Sequence, residues 1–241
     1  VIVIPARLAS TRLPRKLLLD RTGKSVLQHT FEQASRSKLA DRVVVACDDD
    51  QIVADVTRFG GDAVMTRPDH VCGTDRIAEV AASLDADLIV NVQGDEPEIE
   101  PESIDLAIRL LTQNIDLAAA TLATPIRSRK ALDDPANVKV VFDGEDRAMY
   151  FSRSPIPHPR TWHDELLGPP ADHVGLYVYR KEFLLHISKR PAVQLEQIES
   201  LEQLRFLHGG HQVIVGKVEH SAPGIDTLAD YEAFVSRAKK R

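Results

Sequence analysis

Short hydrophobic runs alternate with amphipathic segments through the first half of the chain. The runs are rich in β-branched residues and predict buried strands, and the segments have the apolar spacing of helices. This alternation is typical of an α/β fold, with a mostly parallel sheet flanked by helices. We predict strands over 1–4, 42–46, 63–65 and 87–92, and helices over 25–37, 49–59, 74–84 and 101–111, the third capped by Thr74.

The second half is less regular. It contains strand-like runs at 117–124, 138–142, 148–151, 174–179 and 212–215, and helical patterns at 195–207 and 227–239. Prolines and Trp162 crowd residues 154–170, which predicts an irregular surface excursion. No internal repeat, low-complexity tract or linker divides the sequence. We therefore predict one domain over 1–241 with a small embedded subdomain at about 150–210.

Composition and charge narrow the class of protein. The 241 residues are 43% hydrophobic and 27% charged, as in an ordinary globular enzyme. A formal charge of −6 argues against a general nucleic-acid or membrane-surface binder. Cys47 and Cys72 are too few for a disulfide framework and lack metal-ligand spacing. No apolar run approaches the roughly 20 residues that span a bilayer. We expect a cytoplasmic enzyme with no nucleic-acid or membrane partner.

A cationic loop, residues 5–16, follows the first predicted strand. It contains no glycine, so it is neither a Walker A loop nor a dinucleotide fingerprint. Arginine forks and a lysine suit the oxygens of a triphosphate. A solvated basic loop is the alternative, whereas missing aromatic residues and the acidic net charge disfavour a nucleic-acid patch. The cations are Arg7, Arg12, Arg15 and Lys16, and the hydroxyls are Ser10 and Thr11.

Acidic residues follow the most convincing core strand. Asp95 lies in the stretch 93–97, and Mg²⁺ typically takes one or two protein carboxylates plus substrate phosphates. Gly94 would let the backbone approach a ligand closely. A turn-forming aspartate is the simpler alternative for Asp95, as a helix-start acid is for Asp226.

A third set of polar residues is spread over 151–155, 173–177 and 199–203. Arginine, histidine, tyrosine and amide groups could together bind a carboxylated polyol. Each of them alone is equally a structural or surface residue.

The ordered set of these segments resembles the 3-deoxy-manno-octulosonate cytidylyltransferases (CMP-Kdo synthetases). The resemblance runs from the first strand to the last helix. CMP-sialate synthetases share the first loop in outline but not the 93–97 stretch in this form. The segments that carry the resemblance are 4–16, 66–70, 73–76, 91–97, 151–153 and 224–227.

The resemblance implies a fold, a reaction and a cofactor. The fold is a Rossmann-like core of the nucleotide-diphospho-sugar transferase type, with a small dimerisation subdomain and a homodimer as the assembly. The reaction transfers CMP from CTP to the anomeric hydroxyl of Kdo, releases pyrophosphate and supplies lipopolysaccharide biosynthesis. Mg²⁺ is the expected cofactor.

The resemblance also assigns expected roles to residues of this chain. Catalysis falls to Arg7, Arg12, Lys16, Asp95 and Asp226, of which Asp95 and Asp226 are the expected Mg²⁺ ligands. The expected CTP-binding residues are Arg7, Ser10, Thr11, Arg12, Lys16, Arg67, Asp69, Thr74 and Arg76. The expected sugar-binding residues are Gln93, Arg153, His173, Tyr177, Glu202 and Gln203.

Three departures from the family pattern keep alternatives open. Arg15 stands where glycine is expected, Cys72 where a small polar residue is commoner, and Gln197 where histidine is expected. The change at Gln197 leaves 8-amino-Kdo open as the sugar, and sialate remains a neighbouring alternative. A silent nucleotide-binding regulator is disfavoured by the retained cationic loop and both aspartates. A metal-dependent phosphatase is disfavoured because no convincing nucleophilic Asp-x-Asp stretch follows a strand. The acidic residues 48–50 do follow one, but a helix cap explains them better.

Overall fold

Nine strands and nine α-helices were found among residues 1–70, 72–161 and 171–240, the residues that this computed structural model describes. The predicted α/β class is confirmed, and Trp162 lies outside the described residues. The strands are β1 (Ile2–Ala6), β2 (Val43–Cys47), β3 (Ala63–Met65), β4 (Leu88–Asn91), β5 (Ala119–Pro125), β6 (Lys139–Phe142), β7 (Ala148–Ser152), β8 (Ala171–Arg180) and β9 (Val213–Lys217). The helices are α1 (Val26–Ala34), α2 (Asp50–Arg58), α3 (Gly73–Ala81), α4 (Pro101–Gln113), α5 (Arg129–Asp133), α6 (Lys181–Ile187), α7 (Gln194–Glu199), α8 (Leu204–His208) and α9 (Leu228–Ala238).

The chain divides into two compact units. Unit 1 is Val1–Asp105 together with Ala222–Arg241, and unit 2 is Leu106–Ser221. Unit 1 is therefore discontinuous in sequence, and the boundary after Asp105 falls within α4. The subdomain predicted at about 150–210 lies within the residues of unit 2 and remains a prediction.

Unit 1 contains a parallel sheet in the order β3-β2-β1-β4. Ile2, Val3 and Ile4 of β1 are each fully buried, which means that both faces of this strand are covered. Because the strands are parallel, their carboxyl ends lie along one edge. The segments that follow β1, β2 and β4 therefore come together there, as ligand-binding loops do in open α/β sheets.

Side-chain caps start α1 and α2 of unit 1. Ser25 accepts a hydrogen bond from the backbone N–H of Gln28, and Asp49 accepts one from Gln51. The cap predicted for Thr74 is wrong, because α3 begins at Gly73 and its N-cap residue is Cys72. Thr74 is instead buried inside the first turn of α3.

Unit 2 contains a mixed arrangement of strands. β5 pairs with β8 in the antiparallel sense and with β9 in the parallel sense, and β6 pairs antiparallel with both β7 and β8. The register of β5 and β8 shifts between Thr121 and Leu122, which marks a bulge. Phe151, Leu201 and Leu204 are the largest buried members of a core cluster that joins β6, β7 and β8 to the region of α8.

Three features of unit 2 differ from the prediction. The single helix predicted over 195–207 is two helices, α7 and α8, because Ser200 adopts a left-handed conformation with φ 53°. The short helices α5 and α6 were not predicted. β8 begins at Ala171, before the predicted start at residue 174.

Candidate active site

The loop after β1 lines a cavity of about 630 Å³ in unit 1, within the range of small-molecule sites. Its backbone is anchored where the Leu8 N–H donates to Asp48 Oδ1 at 3.0 Å. At its end, Arg15 turns the chain in a left-handed conformation and starts a 3-10 helix over Lys16–Leu18. The cavity is lined by Arg7, Leu8, Ala9, Ser10, Thr11, Pro14, Arg15, Asp48, Asp49 and Pro68.

Two cations of this loop meet two carboxylates. Lys16 Nζ makes a short contact with Asp95 Oδ2 and lies 3.2 Å from Asp226 Oδ1. It also donates to the carbonyl of Ile225 at 3.0 Å, and Arg12 donates to Asp226 Oδ1 at 2.8 Å. Residues far apart in sequence are thus brought together, as the resemblance implied. The Lys16 side chain is 16% exposed and that of Asp95 27%, so the pair is mostly buried but still reaches solvent.

Glycine is required where the chain leaves β4 toward Asp95. A Cβ on Gly94 would lie 3.0 Å from the carbonyl oxygen of Pro5, closer than nearly all real contacts. The Gly94 carbonyl accepts a hydrogen bond from the buried Thr30 hydroxyl at 3.0 Å. The Asp95 carbonyl accepts one from the backbone N–H of Ile225 at 2.9 Å. This last bond ties the segment before α9 directly to the loop after β4.

The start of α9 fixes Asp226 from the other side. Thr227 is the N-cap residue, and its hydroxyl accepts from the backbone N–H of Asp230 in a capping box. The Asp230 carboxylate accepts from the backbone N–H groups of both Asp226 and Thr227. Asp226 therefore directly precedes a capped helix start, and its carboxylate remains directed at Arg12 and Lys16.

Glu96 adds little charge beside Asp95 at neutral pH. Burial, and secondly the charge of Asp95, raises the pKa of Glu96 to about 8. Its carboxyl is therefore mostly protonated at pH 7, and Asp95 supplies the negative charge of this segment.

Arg76 joins the loop to the chain after β2 and β3. Its guanidinium is buried and donates to Asp48 Oδ2 at 3.0 Å and to the Thr66 hydroxyl at 2.5 Å. Asp48 in turn holds the backbone of Leu8, so the buried arginine supports the cavity wall. Sequence reasoning treated Asp48 only as part of a helix cap. Its place directly after a parallel strand was the signal that it belongs to the site edge.

Arg67 and Asp69, also expected on the CTP side, precede Arg76 by a few residues. Unlike Arg76, they are exposed. The Arg67 and Asp69 side chains are exposed, 68% and 73%, and their charged atoms are 3.7 Å apart. Glu79 makes a short contact with His70 and accepts from the backbone N–H of Arg67, which holds this segment against α3. Whether Arg67, Asp69, Thr74 and Arg76 contact CTP stays a prediction.

Most of the predicted sugar-side residues belong to unit 2. His173 packs against Phe151 and Tyr177, with ring centroids 5.1 and 5.2 Å apart, and its Nε2 lies 3.0 Å from the Thr121 hydroxyl. Burial lowers the pKa of His173 to about 3, so the ring is neutral at physiological pH. Burial, and secondly Tyr179 and Glu202, raises the pKa of Tyr177.

The remaining sugar-side candidates are placed as follows. Arg153 donates to the backbone carbonyls of Glu199 and Pro135, at 2.8 and 3.0 Å, and so supports the turn between α7 and α8. Gln203 is buried at the N-cap of α8 next to Glu202. Gln93 belongs to unit 1, where its amide donates to Asn91 at 3.0 Å. Glu199, in the predicted polar stretch 199–203, has no role assigned by the sequence, and it accepts from Ser152 and from the backbone N–H of Arg153.

The two aspartates fit the donor set of a magnesium ion. Carboxylate oxygens are the ligands that Mg²⁺ prefers, and it completes its shell with water and substrate phosphates. Asp95 and Asp226 already share one cation, the ammonium of Lys16, so the space beside both carboxylates accepts positive charge. No group of three or more metal-binding side chains exists among the described residues, so the protein's share would be these two.

A family model described as cytidylyltransferase matches residues 1–213. The chain is also 51% identical to a 3-deoxy-manno-octulosonate cytidylyltransferase of Rhodopirellula baltica, over 100% of this chain and 99% of the relative. The chain belongs to the cytidylyltransferase family, among the 3-deoxy-manno-octulosonate cytidylyltransferases. A second such relative of this cytidylyltransferase, from Geobacter sulfurreducens, is 47% identical over 98% of both chains.

Solved structures confirm the fold of this cytidylyltransferase. A CMP:2-keto-3-deoxy-manno-octonic acid synthetase complexed with CTP matches with a TM-score of 0.94 and 42% identity, over 100% of this chain and 98% of that one. A 4-diphosphocytidyl-2C-methyl-D-erythritol synthase of Anaerococcus prevotii matches at 0.64 and 17% identity, over 100% and 98%, which shows the shared fold alone. In the described part of the chain, no helix is long and apolar enough to cross a membrane.

Proposed function

We propose that this cytidylyltransferase transfers CMP from CTP to the anomeric hydroxyl of 3-deoxy-manno-octulosonate and releases pyrophosphate. The observation that carries the proposal is the cluster of Lys16, Arg12, Asp95 and Asp226 at the end of a cavity-lining cationic loop. In a family whose solved member binds CTP, this cluster is suited to reaction at a phosphate.

The chemistry is a single displacement at the α-phosphorus of CTP. The sugar hydroxyl oxygen bonds to that phosphorus, the bond to the β-phosphate bridge breaks, and the hydroxyl proton is released to solvent. The loop cations hold the phosphates in place and stabilise their charge as pyrophosphate departs, which is catalysis by positioning and electrostatics. Bound Mg²⁺ would lower the pKa of the attacking hydroxyl and neutralise phosphate charge.

Asp95 and Asp226 would hold that Mg²⁺ while Arg12 and Lys16 stay beside them. The two cations already contact the two carboxylates. They therefore lie where they could also neutralise the charge of a phosphate bound beside these carboxylates. We also propose that the enzyme acts in the cytoplasm as a homodimer and supplies lipopolysaccharide biosynthesis. Size-exclusion chromatography with light scattering tests the assembly: a monomer at micromolar concentration would contradict it.

Pyrophosphate release with CTP and Mg²⁺ tests the reaction. We expect activity with Kdo that disappears with EDTA and returns with added Mg²⁺. Kdo, 8-amino-Kdo and N-acetylneuraminate should be compared at equal concentrations. A preference for the amino sugar would keep the reaction and change the substrate, with Gln197 the first residue to replace. Failure with all three sugars would contradict the proposed function.

Replacing Asp95 tests its proposed role. Asp95→Asn removes a metal-binding charge but keeps the side-chain size, so we expect kcat to fall by at least about 10²-fold. CTP affinity, measured calorimetrically without Mg²⁺, should change little. Asp85→Asn, at an exposed position of the same unit, is the control. Near-normal turnover in Asp95→Asn would rule out the assignment.

A further inference from the structure

Arg15 has a backbone conformation that normally favours glycine. Its φ is 53° and its ψ 30°, and among the described residues only Asp146 and Ser200 are other non-glycine residues with positive φ. A left-handed conformation is unfavourable for a residue that has a Cβ atom. The arginine side chain at position 15 therefore makes this turn less favourable than glycine would. Backbone strain of this kind occurs at functional sites.

The Arg15 side chain turns away from its neighbour Lys16. Lys16 reaches Asp95 and Asp226, whereas the Arg15 guanidinium donates to the amide oxygen of Gln51 at 2.5 Å. Gln51 lies in the first turn of α2. The two successive cations therefore have different partners: Lys16 contacts the carboxylates, and Arg15 contacts Gln51 at the start of α2.

Arg7 and Arg15 supply positive charge that no protein carboxylate neutralises. Within residues 1–70, 72–161 and 171–240, neither arginine forms an ion pair, and the partner of Arg15 is a neutral amide. Both line the 630 Å³ cavity. The acidic residue Asp48 in its wall already pairs with Arg76, and Asp49 caps α2. The cavity therefore offers two forked donors to an anion.

We propose that Arg15 binds the β- and γ-phosphates of CTP, the part that leaves as pyrophosphate. This inference rests on the proposed function and extends it to a residue that replaces the expected glycine. The carboxylates beside Lys16 mark the reacting α-phosphate. Arg15 lines the cavity of the same loop but contacts neither carboxylate, so we assign its guanidinium to the phosphates that leave. Gln51 holds the guanidinium in place before the nucleotide arrives.

Calorimetric binding of CTP, CMP and pyrophosphate to Arg15→Gly tests the proposal. Glycine suits the left-handed backbone, so the fold and the position of Lys16 are kept. We expect affinity for CTP and pyrophosphate to fall about 5- to 10-fold and affinity for CMP to change less than 2-fold. KM for CTP should rise, whereas kcat and KM for the sugar should stay within 2-fold. The melting temperature should be unchanged or higher.

Further variants separate charge from backbone effects. Asparagine also adopts the left-handed conformation, so Arg15→Asn should bind CTP and pyrophosphate as weakly as Arg15→Gly does. Arg15→Lys restores a positive charge and should recover part of the lost affinity. Arg36→Gln removes an exposed arginine of the same unit outside the cavity and should leave all three affinities unchanged.

Two results would overturn the proposal. In the first, Arg15→Gly binds CTP and pyrophosphate as tightly as the wild-type protein does. In the second, its affinity for CMP falls by the same factor as its affinity for CTP. If the wild-type protein transfers CMP to no sugar, the proposed function is contradicted. The role of Arg15 is still tested in that case, because pyrophosphate binding is measured without a sugar.

Discussion

Asp48 makes a hydrogen bond and an ion pair whose partners lie on different segments. One oxygen holds the backbone of Leu8 and the other pairs with Arg76, whose side chain is 5% exposed. Removing one partner of a buried ion pair leaves the other charge uncompensated. The position of the cationic loop thus depends on Asp48 through its contact with the backbone of Leu8.

Asp48→Asn should therefore weaken both the fold and nucleotide binding. We expect the free energy of unfolding, from urea titration, to fall by about 2–3 kcal/mol, and KM for CTP to rise several-fold. Asp85→Asn, at an exposed position of the same unit outside the cavity, is the control. Equal effects of the two variants would contradict the role given to Asp48.

Sequence reasoning identified charged residues of the site better than their partners. Lys16, Asp95 and Asp226 follow strands or precede a helix, and the structure brings the three side chains together. Arg76 was expected at the nucleotide, yet its guanidinium is buried and bonded to Asp48 and Thr66. Sequence alone could not reveal this, because the direction of a long side chain depends on which neighbours offer acceptors.

At the scale of elements, the cap of α9 also orders the site. Thr227 and Asp230 close the capping box, and the Asp230 carboxylate binds the backbone N–H of Asp226. Burial raises the pKa of Asp230, but hydrogen bonds from Thr227 and from Asp226 outweigh it, so the pKa lies below its ordinary 3.8. The ionised Asp230 carboxylate therefore stabilises the fold fully above about pH 4. This stabilisation is lost as the pH falls through the lowered pKa.

Thr227→Ala should cost about 1 kcal/mol of stability and also reduce kcat several-fold, because the residue before it is Asp226. Ser128→Ala is the control: Ser128 caps α5 through the N–H of Ala131, away from any proposed catalytic residue. It should lose comparable stability without loss of kcat. Thermal unfolding and pyrophosphate release measure the two effects, and equal kcat changes in both variants would contradict the inference.

Elements with strong periodicity were predicted well, and turns within polar segments were not. Each of the nine strands overlaps a predicted run. The signal is clearest for the parallel strands β1 and β2, because buried parallel strands are continuously apolar. The break between α7 and α8 was missed, because the apolar spacing continues across Ser200. The buried pair of Glu196 and Arg205 lies on either side of this break, and its energy depends on tertiary contacts that no local pattern shows.

At the scale of the whole molecule, two neighbouring residues of β8 oppose each other in the pH dependence of stability. His173 has its pKa lowered to about 3 from 6.5, so the unfolded chain binds an extra proton between these values and acid destabilises the fold. Burial, outweighing Lys139, raises the pKa of Asp172 to about 6 from 3.8, so the folded chain binds the extra proton. Their contributions cancel between about pH 4 and 6.

Single variants should reveal the two opposing slopes. Relative to wild type between pH 4 and 6, Asp172→Asn should make the free energy of unfolding rise more steeply with pH, by on the order of 1 kcal/mol per unit. His173→Gln should shift the slope by a similar amount in the opposite direction. Urea titrations at half-unit intervals measure both. Slope changes of the same sign in the two variants would contradict the cancellation.

The discontinuity of unit 1 has a consequence for the time course of protein synthesis. A ribosome completes the cationic loop and Asp95 first, then the whole continuous segment of unit 2, and only afterwards Asp226. A nascent chain thus acquires its cationic loop and every predicted sugar-side residue while Asp226, one of the two carboxylates proposed to hold Mg²⁺, is still missing. If the proposed reaction is correct, chemistry begins only once the segment that closes unit 1 has been translated, and truncated products remain inactive.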